Sequence, residues 1–584
     1  VTETNPFGLS DEQLRALRPE IRLVEAGPGA GKTRTVVARL RSNFEDGRRV
    51  AMLSFTNAAV DVARLRGRDV PQLLEAPNFV GTFDSFFRRY VVTPATMRGS
   101  RRPTYVTSWD DLRNSMAVVR PANGGIGIRL TRFVQRGGVW VIDEDSLSRA
   151  ERLAWDKLTE WSRENLNQIG HQRIVTLQES HVYDTAAARK RALIVLDSAE
   201  SPLRLLARRF NEIIIDEFQD CDETEHDIVD RLTSAGIHVV AVADPDQAIY
   251  EFRQANSALY ERFRERVADE ERVALTTCFR SSPVICSVIN SLRAVGLGQV
   301  VPSEDHPGGS STVHVVVGSG VKAGERAYRI LRQSGVSPMK TRVIAHRKSD
   351  ARALLRAGKE PPHGSSQIEL LLVALADLHS GTDPSGRLRA IRRVESFLLS
   401  QFDWDGQDVE GKSDQIERLG VASADLRGVA SALLRSSLSW TDEASCKANV
   451  RRIVEDFSNR TDVELRPRLG NRLSIPEKVW KFWKSRTAGL LTDGVSDALR
   501  WGHVHGVKGD EFEAVIMAIP SKATGPSHVL DDWQGGRNSE QRRVLYVGVS
   551  RAMRELVIVV PPSRRDQLEA ILADAEISYT VVVA

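Results

Sequence analysis

The chain is short of cysteine, of aromatics and of net charge, and it has no long apolar run. Its four cysteines (Cys221, Cys278, Cys286 and Cys446) are too few and too scattered for a disulfide scaffold. None stands with histidine at zinc spacing, so reduced thiols of a cytoplasmic protein are expected. No segment approaches the roughly 18 apolar residues of a membrane span, and no membrane partner is expected. The first residues are polar and acidic, from which we expect no secretory leader. A net charge of +4 and 6% aromatic content give composition alone little case for nucleic acid. Basic pairs such as Arg88-Arg89 and Arg451-Arg452 read as solvated faces. What the chain does have is length: 584 residues, 41% hydrophobic, are enough for several cores.

The apolar run Ile21–Val24 reads as a strand and Thr35–Leu40 as a helix. Between them stands Ala26-Gly27-Pro28-Gly29-Ala30-Gly31-Lys32-Thr33, the composition of a phosphate-binding loop. Such a loop turns backbone N–H groups toward phosphate oxygens, and the helix N-terminus adds a favourable dipole. Lys32 would reach the β and γ phosphates of ATP, and the Thr33 hydroxyl would hold Mg2+. Ala26 departs from the strict pattern, which has Gly there.

Phe210–Asp220 carries the β-branched run Ile213-Ile214-Ile215, as a buried parallel strand should. Asp216 and Glu217 follow at its C-terminal end, where open α/β sheets place ligands. Asp216 would ligate magnesium, and Glu217 would orient and deprotonate the attacking water. A further strand, Val239–Ala243, leads to Asp244-Pro245-Asp246-Gln247. Gln247 would contact the γ-phosphate. Beyond it, Tyr250, Phe252 and Arg253 would stack on or pair with bases, or else the two aromatics face a core.

In order and spacing these segments resemble the motif series of UvrD/Rep-type superfamily 1 helicases. The resemblance spans about residues 1–90, 205–285 and 500–562. It implies that Gln13 reads the adenine edge and that Ala26–Thr33, with Arg34 after it, binds ATP. It implies DNA contacts at Phe55, Thr56 and Asn57, and at Thr82 and Phe83. Asp84 stands where the family usually has His, which puts one backbone contact in doubt. Phe252 takes the place of a frequent base-stacking Trp. Thr277-Cys278-Phe279-Arg280-Ser281 resembles the family's YRS motif, with Phe279 stacking on adenine and Arg280 meeting the γ-phosphate. In Val504–Phe512, Glu511 would bind the ribose hydroxyls, and His503 and His505 lie on the DNA side. Glu540–Val560 matches the last motif closely, and Arg551 is its arginine finger.

The implied fold is α/β: two RecA-like parallel-sheet motor domains with two mostly helical insertions, the first carrying a small β element. The expected division is a first motor domain in 1–89 and 186–272, interrupted by an insertion at 90–185. A second motor domain at 273–362 and 500–584 is interrupted by a reduced helical insertion at 363–499. Trp109–Leu112 reads as a helix start, Ile126–Val141 as strands around Gly137-Gly138, and Trp155 and Trp161 as core. The strands would form a DNA pin or a decoration. Asp403–Asp414 reads as an acidic loop. Val479–Lys484, which mixes aromatics with lysine, reads as a helix buried by its Trp face or else as a nucleic-acid contact.

The function implied is that of a DNA-dependent ATPase and 3′–5′ helicase acting on single strands and single/double-strand junctions. A nuclease or repair protein is the implied partner. Asn78–Phe86 also resembles the compact branch that includes the helicase-like subunits of Gabija antiviral systems. Two alternatives stay open: an ATP-driven sensor of DNA ends without strong unwinding, and a nucleotide-binding scaffold without turnover.

Overall fold

Ile213, Ile214 and Ile215 are fully buried in the strand Glu212–Asp216, which lies inside a six-stranded sheet. The strand order is Arg272–Leu275, Leu23–Ala26, His238–Ala243, Glu212–Asp216, Val50–Ser54 and Phe79–Thr82. Every pairing is parallel. This is a computed structural model; it describes residues 8–584 apart from 98–101, 107, 113, 122–126, 250–256, 295–297, 356–366, 380–383, 405–414, 417, 468, 489–498 and 524.

Successive residues of these strands feed two different cores, as the period of a strand requires. Ile214, Val240 and Val242 share one with Val36 and Leu40 of the helix Lys32–Glu45. Ile213, Ile215 and Val239 join the other, which runs on into the first insertion through Trp140, Ile142 and Trp155. One buried charge sits at the foot of the sheet. Glu212 is fully buried and takes both arms of Arg39, at 2.7 and 2.8 Å. Arg39 also donates to the carbonyls of Ala16 and Arg18, so no buried charge is left without a partner there.

A second parallel sheet is ordered Arg500–His503, Thr341–Ala345, Phe512–Ala518, Ala552–Val560, Val313–Val317 and Tyr579–Val583. Two parallel-sheet lobes of RecA type, separated by insertions, are therefore the architecture. The first sheet runs past residue 272, because Arg272–Leu275 pairs with Leu23–Ala26.

The first insertion has the long helix Glu160–Glu179 and three small strand pairs. Its hairpin, Phe133–Arg136 with Val139–Ile142, lies against that helix. The amide of Trp140 donates to His171 Nδ1 and that of Ile142 to Asn167 Oδ1. Two expectations need correcting. Trp109–Asp111 is a 3-10 turn, and the short α-helix after it begins only at Asn114. Trp161 is 70% exposed, whereas Trp155 is in the core. The second insertion is helical, and Trp480 and Trp483 are buried in it. The Asp403–Asp414 reading falls almost wholly outside the described residues. Among the described residues no helix is long and apolar enough to cross a membrane. All four cysteines are buried and unpaired.

Candidate active site

The loop after Leu23–Ala26 needs glycine at two places. Gly29 and Gly31 have φ of +73° and +78°, which side-chain-bearing residues rarely adopt. Both are also crowded. A Cβ at Gly29 would stand 2.6 Å from Arg280 Cβ and 2.8 Å from Cys278 Sγ; one at Gly31 would stand 2.6 Å from Gln13 Nε2. Gln13 Nε2 donates to the carbonyl of Ala30 at 2.9 Å. Ser10 and Gln13 cap their short helix reciprocally, which fixes Gln13 at the loop. The helix begins at Lys32, earlier than the sequence suggested, so Thr33 sits in its first turn. Arg34 donates to Gly8 O.

Two strands away, Asp216 is buried at the end of Glu212–Asp216 and accepts from the amide of Glu217 at 3.0 Å. Glu217 has φ +58°, a left-handed conformation costing about 1–3 kcal/mol for such a residue. Gln219 holds its carboxylate, and Lys508 Nζ lies 4.0 Å from it. Burial, then the Glu217 charge, push Asp216 above the usual carboxylate range. Burial also opposes ionisation of Glu217, but Lys32 and Lys508 outweigh it and hold Glu217 ionised. One carboxylate of the pair is thus kept charged, and its neighbour is held back from ionising.

Gln247 ties the two lobes together. Its Nε2 donates to Asp244 Oδ2 at 2.6 Å, and its Oε1 accepts from Arg551 Nη2 at 3.2 Å. Asp244 Oδ2 in turn lies 3.9 Å from Lys32 Nζ. A chain of three contacts therefore runs from Arg551 of the second lobe to Lys32 of the first. Arg551 is buried, and its Nε donates to Val547 O. Burial, then nearby Arg280, lower it to about 10, so it stays protonated at neutral pH.

Arg280 reaches the loop from the same side. Ser281 and Ser282 donate to the carbonyls of Ala552 and Met553 in the second lobe, and the amide of Phe279 donates to Gly29 O at 3.0 Å. Arg280 Nε donates to Glu511 Oε1 at 2.9 Å and Nη1 to Ser550 O at 3.1 Å. Glu511, expected at a ribose, is engaged by Arg280.

Sequence reading missed several of these parts. Glu12 accepts from the amides of Thr276 and Thr277, anchoring the segment that joins the lobes. Lys508 bonds Asp220 at 2.6 Å and Gln247 O at 3.0 Å; Arg543 bonds Ala248 O; Tyr546 points its hydroxyl at Asp244. Lys508, Arg543 and Tyr546 lie inside quoted motifs, and that was the available signal.

On the expected DNA side, Thr56 and Thr82 cap two helices that start beside each other, at the ends of Val50–Ser54 and Phe79–Thr82. Their hydroxyls accept from Ala59 N and Ser85 N. Phe55 is partly exposed and stacks on Phe83 at 5.4 Å. Phe83 itself is 1% exposed, so it belongs to the core and offers a base no face. Asn57 lies in the helix Asn57–Arg66, but its side chain is not described. His505 bonds Ile249 O across the lobes at 3.0 Å, and His503 lies beside it. Tyr250, Phe252 and Arg253 lie outside the described residues.

The donors fit nucleotide and magnesium. Thr33 and Asp216 offer hard oxygens, and the two glycines let Arg280 and Gln13 close directly on the loop. The described residues hold no cluster of three or more acidic, His or Cys side chains suited to a metal.

Residues 9–268 match the UvrD/REP helicase N-terminal domain, and residues 501–561 the UvrD-like helicase C-terminal domain. The chain is 23% identical over 603 residues to the ATP-dependent DNA helicase UvrD2 of Mycobacterium tuberculosis, covering 94% of this chain and 78% of that one. It is 22% identical to DNA helicase II of Escherichia coli, with 95% and 85% covered. To the RecBCD enzyme subunit RecB of Mycolicibacterium smegmatis it is 26% identical, over 58% of this chain and 28% of that one.

Proposed function

This chain belongs to the UvrD/Rep-type superfamily 1 helicases, and from that premise we propose a motor that moves 3′ to 5′ along single-stranded DNA, separating duplex ahead of it. That it is an ATP-dependent helicase or translocase of superfamily 1 follows from the family. The polarity, the strand separation and the residue roles are our reading. The observation that supports it most is the chain of contacts Arg551–Gln247–Asp244–Lys32 across the lobes.

In this reading residues 90–185 and 363–499 are insertions into two motor domains. Gln13 and Phe279 hold the adenine. The loop amides and Lys32 bind the phosphates. Thr33 and Asp216 would hold Mg2+, which supplies positive charge against the phosphate oxygens. Glu217 orients a water and takes its proton. Arg280 and Arg551 balance the charge that spreads over the transferred phosphoryl group. Gln247 touches both lobes, so loss of the phosphoryl group is felt by both. Binding draws the lobes together and release lets them part, and DNA held across them is ratcheted. Phe55, Thr56, Asn57, Thr82, Tyr250, Phe252, Arg253 and His503 would line the DNA path.

A duplex with a single-stranded tail tests this. We expect ATP-driven separation with a 3′ tail and little with a 5′ tail. DNA-stimulated turnover without separation would favour a sensor of DNA ends; no turnover would favour a scaffold. The Gabija-like reading, with a nuclease partner in defence, rests on the reduced insertion and on Asn78–Phe86. Part of that segment has a structural reason, since Asn78 is buried and accepts from the amide of Val50.

A further inference from the structure

Arg189 stands on the helix Thr185–Leu196, by which the chain leaves the first insertion. Its fork grips Asp84, with Nε donating to Oδ1 at 2.7 Å and Nη2 to Oδ2 at 3.2 Å. Its Nη1 faces the other way, donating to Asp222 Oδ2 at 3.2 Å and lying 2.7 Å from Glu225 Oε1. Asp84 sits in the first turn of the helix capped by Thr82. Asp222 caps the helix Glu223–Ser234 in a reciprocal box with Glu225. The chain between Glu217 and Asp222 is one tight turn, and Gln219 in it bonds both Glu217 and the amide of Asp244.

One planar cation thus joins two helix N-termini. One starts the segment expected at DNA; the other ends the turn that carries the water-activating carboxylate. Three carboxylates around one guanidinium, mostly out of water, are held together only while the cation keeps its place. Guanidinium suits this because it can fork to one carboxylate and still donate to others; an ammonium cannot hold the same geometry. Lys190, next along, donates to Gln135 of the insertion hairpin at 2.9 Å, so the helix is pinned on both sides.

We propose that Arg189 is a positioning residue that transmits DNA occupancy at Thr82–Ser85 to Glu217. It contacts neither ligand. The proposal rests on the motor reading and goes beyond it, since a motor needs some such link but not this one.

The test uses the full chain with oligo(dT). Three quantities are read for wild type, Arg189→Gln and Arg189→Lys: basal ATP turnover, the maximal stimulation by DNA, and oligonucleotide affinity by anisotropy. We expect Arg189→Gln to lower the stimulation about tenfold, with basal turnover and affinity within about threefold of wild type. Arg189→Lys, which keeps the charge and folds more readily, should fall between. A merely structural role would lower basal and stimulated turnover together, and that result would overturn the proposal. So would full stimulation in either variant. Absence of stimulation in the wild type would instead remove the motor reading, and the link with it.

Discussion

Arg551→Ala should lose about three orders of magnitude or more in DNA-stimulated ATP turnover while still binding nucleotide. The guanidinium comes from the second lobe, and its nearest partner on the first is Gln247, itself bonded to the Asp244 that faces Lys32. In the proposed mechanism a cation so placed does little for ground-state binding, which the loop amides and Lys32 would provide. It would act where charge develops, in a buried setting where electrostatic interactions are strong. Arg551 also bonds Val547 O and Ser550 Oγ, so some stability is lost with it. Arg551→Lys therefore belongs beside the alanine variant. Its charge is kept but the planar guanidinium that reaches Gln247, Val547 and Asp510 at once is not, and turnover should still fall steeply. Phosphate release, a fluorescent-nucleotide titration and a thermal melt separate the three effects. Normal turnover in either variant would remove Arg551 from the site.

The second large effect is at Glu217. Glu217→Gln should lower turnover by about 10²–10⁴-fold and leave ATP binding equal or tighter. The substitution keeps the shape but removes the group proposed to accept the water's proton. It also removes a negative charge from a pocket built for phosphates, hence the expected sign of the change in affinity. The left-handed backbone at this position is unaffected. Single-turnover hydrolysis beside equilibrium binding is the check. Loss of both together would mean that Glu217 is structural.

The strands were legible because the chain spells them in β-branched runs, as at Ile213–Ile215, and a strand buried on both faces needs nothing else. The phosphate loop was legible because its chemistry is local. What failed was non-local or depended on where a helix breaks. Trp155 and Trp161 both read as core, yet a helix break falls between them, where Thr159 caps a new helix by accepting from Ser162 N. Trp155, with Arg163 over its ring at 5.3 Å, takes the core position, and Trp161 is turned out to solvent. Phe83 resembles a DNA contact in its motif, but it stands among Phe79, Phe86, Phe87 and Tyr90, a density of rings that builds a core. Asp84 was noticed only as a departure from a pattern. Its partner Arg189 lies 105 residues on, and no local rule reaches that far.

The central claim is that closure of two lobes over ATP moves the protein along DNA, and single-strand translocation measures this most directly. Oligo(dT) of increasing length, with a fluorophore at the 5′ end, is mixed with bound protein and ATP in a stopped-flow instrument. The account predicts a lag before the signal that lengthens in proportion to the strand. A signal whose timing ignores strand length, while ATP is being consumed, would contradict it.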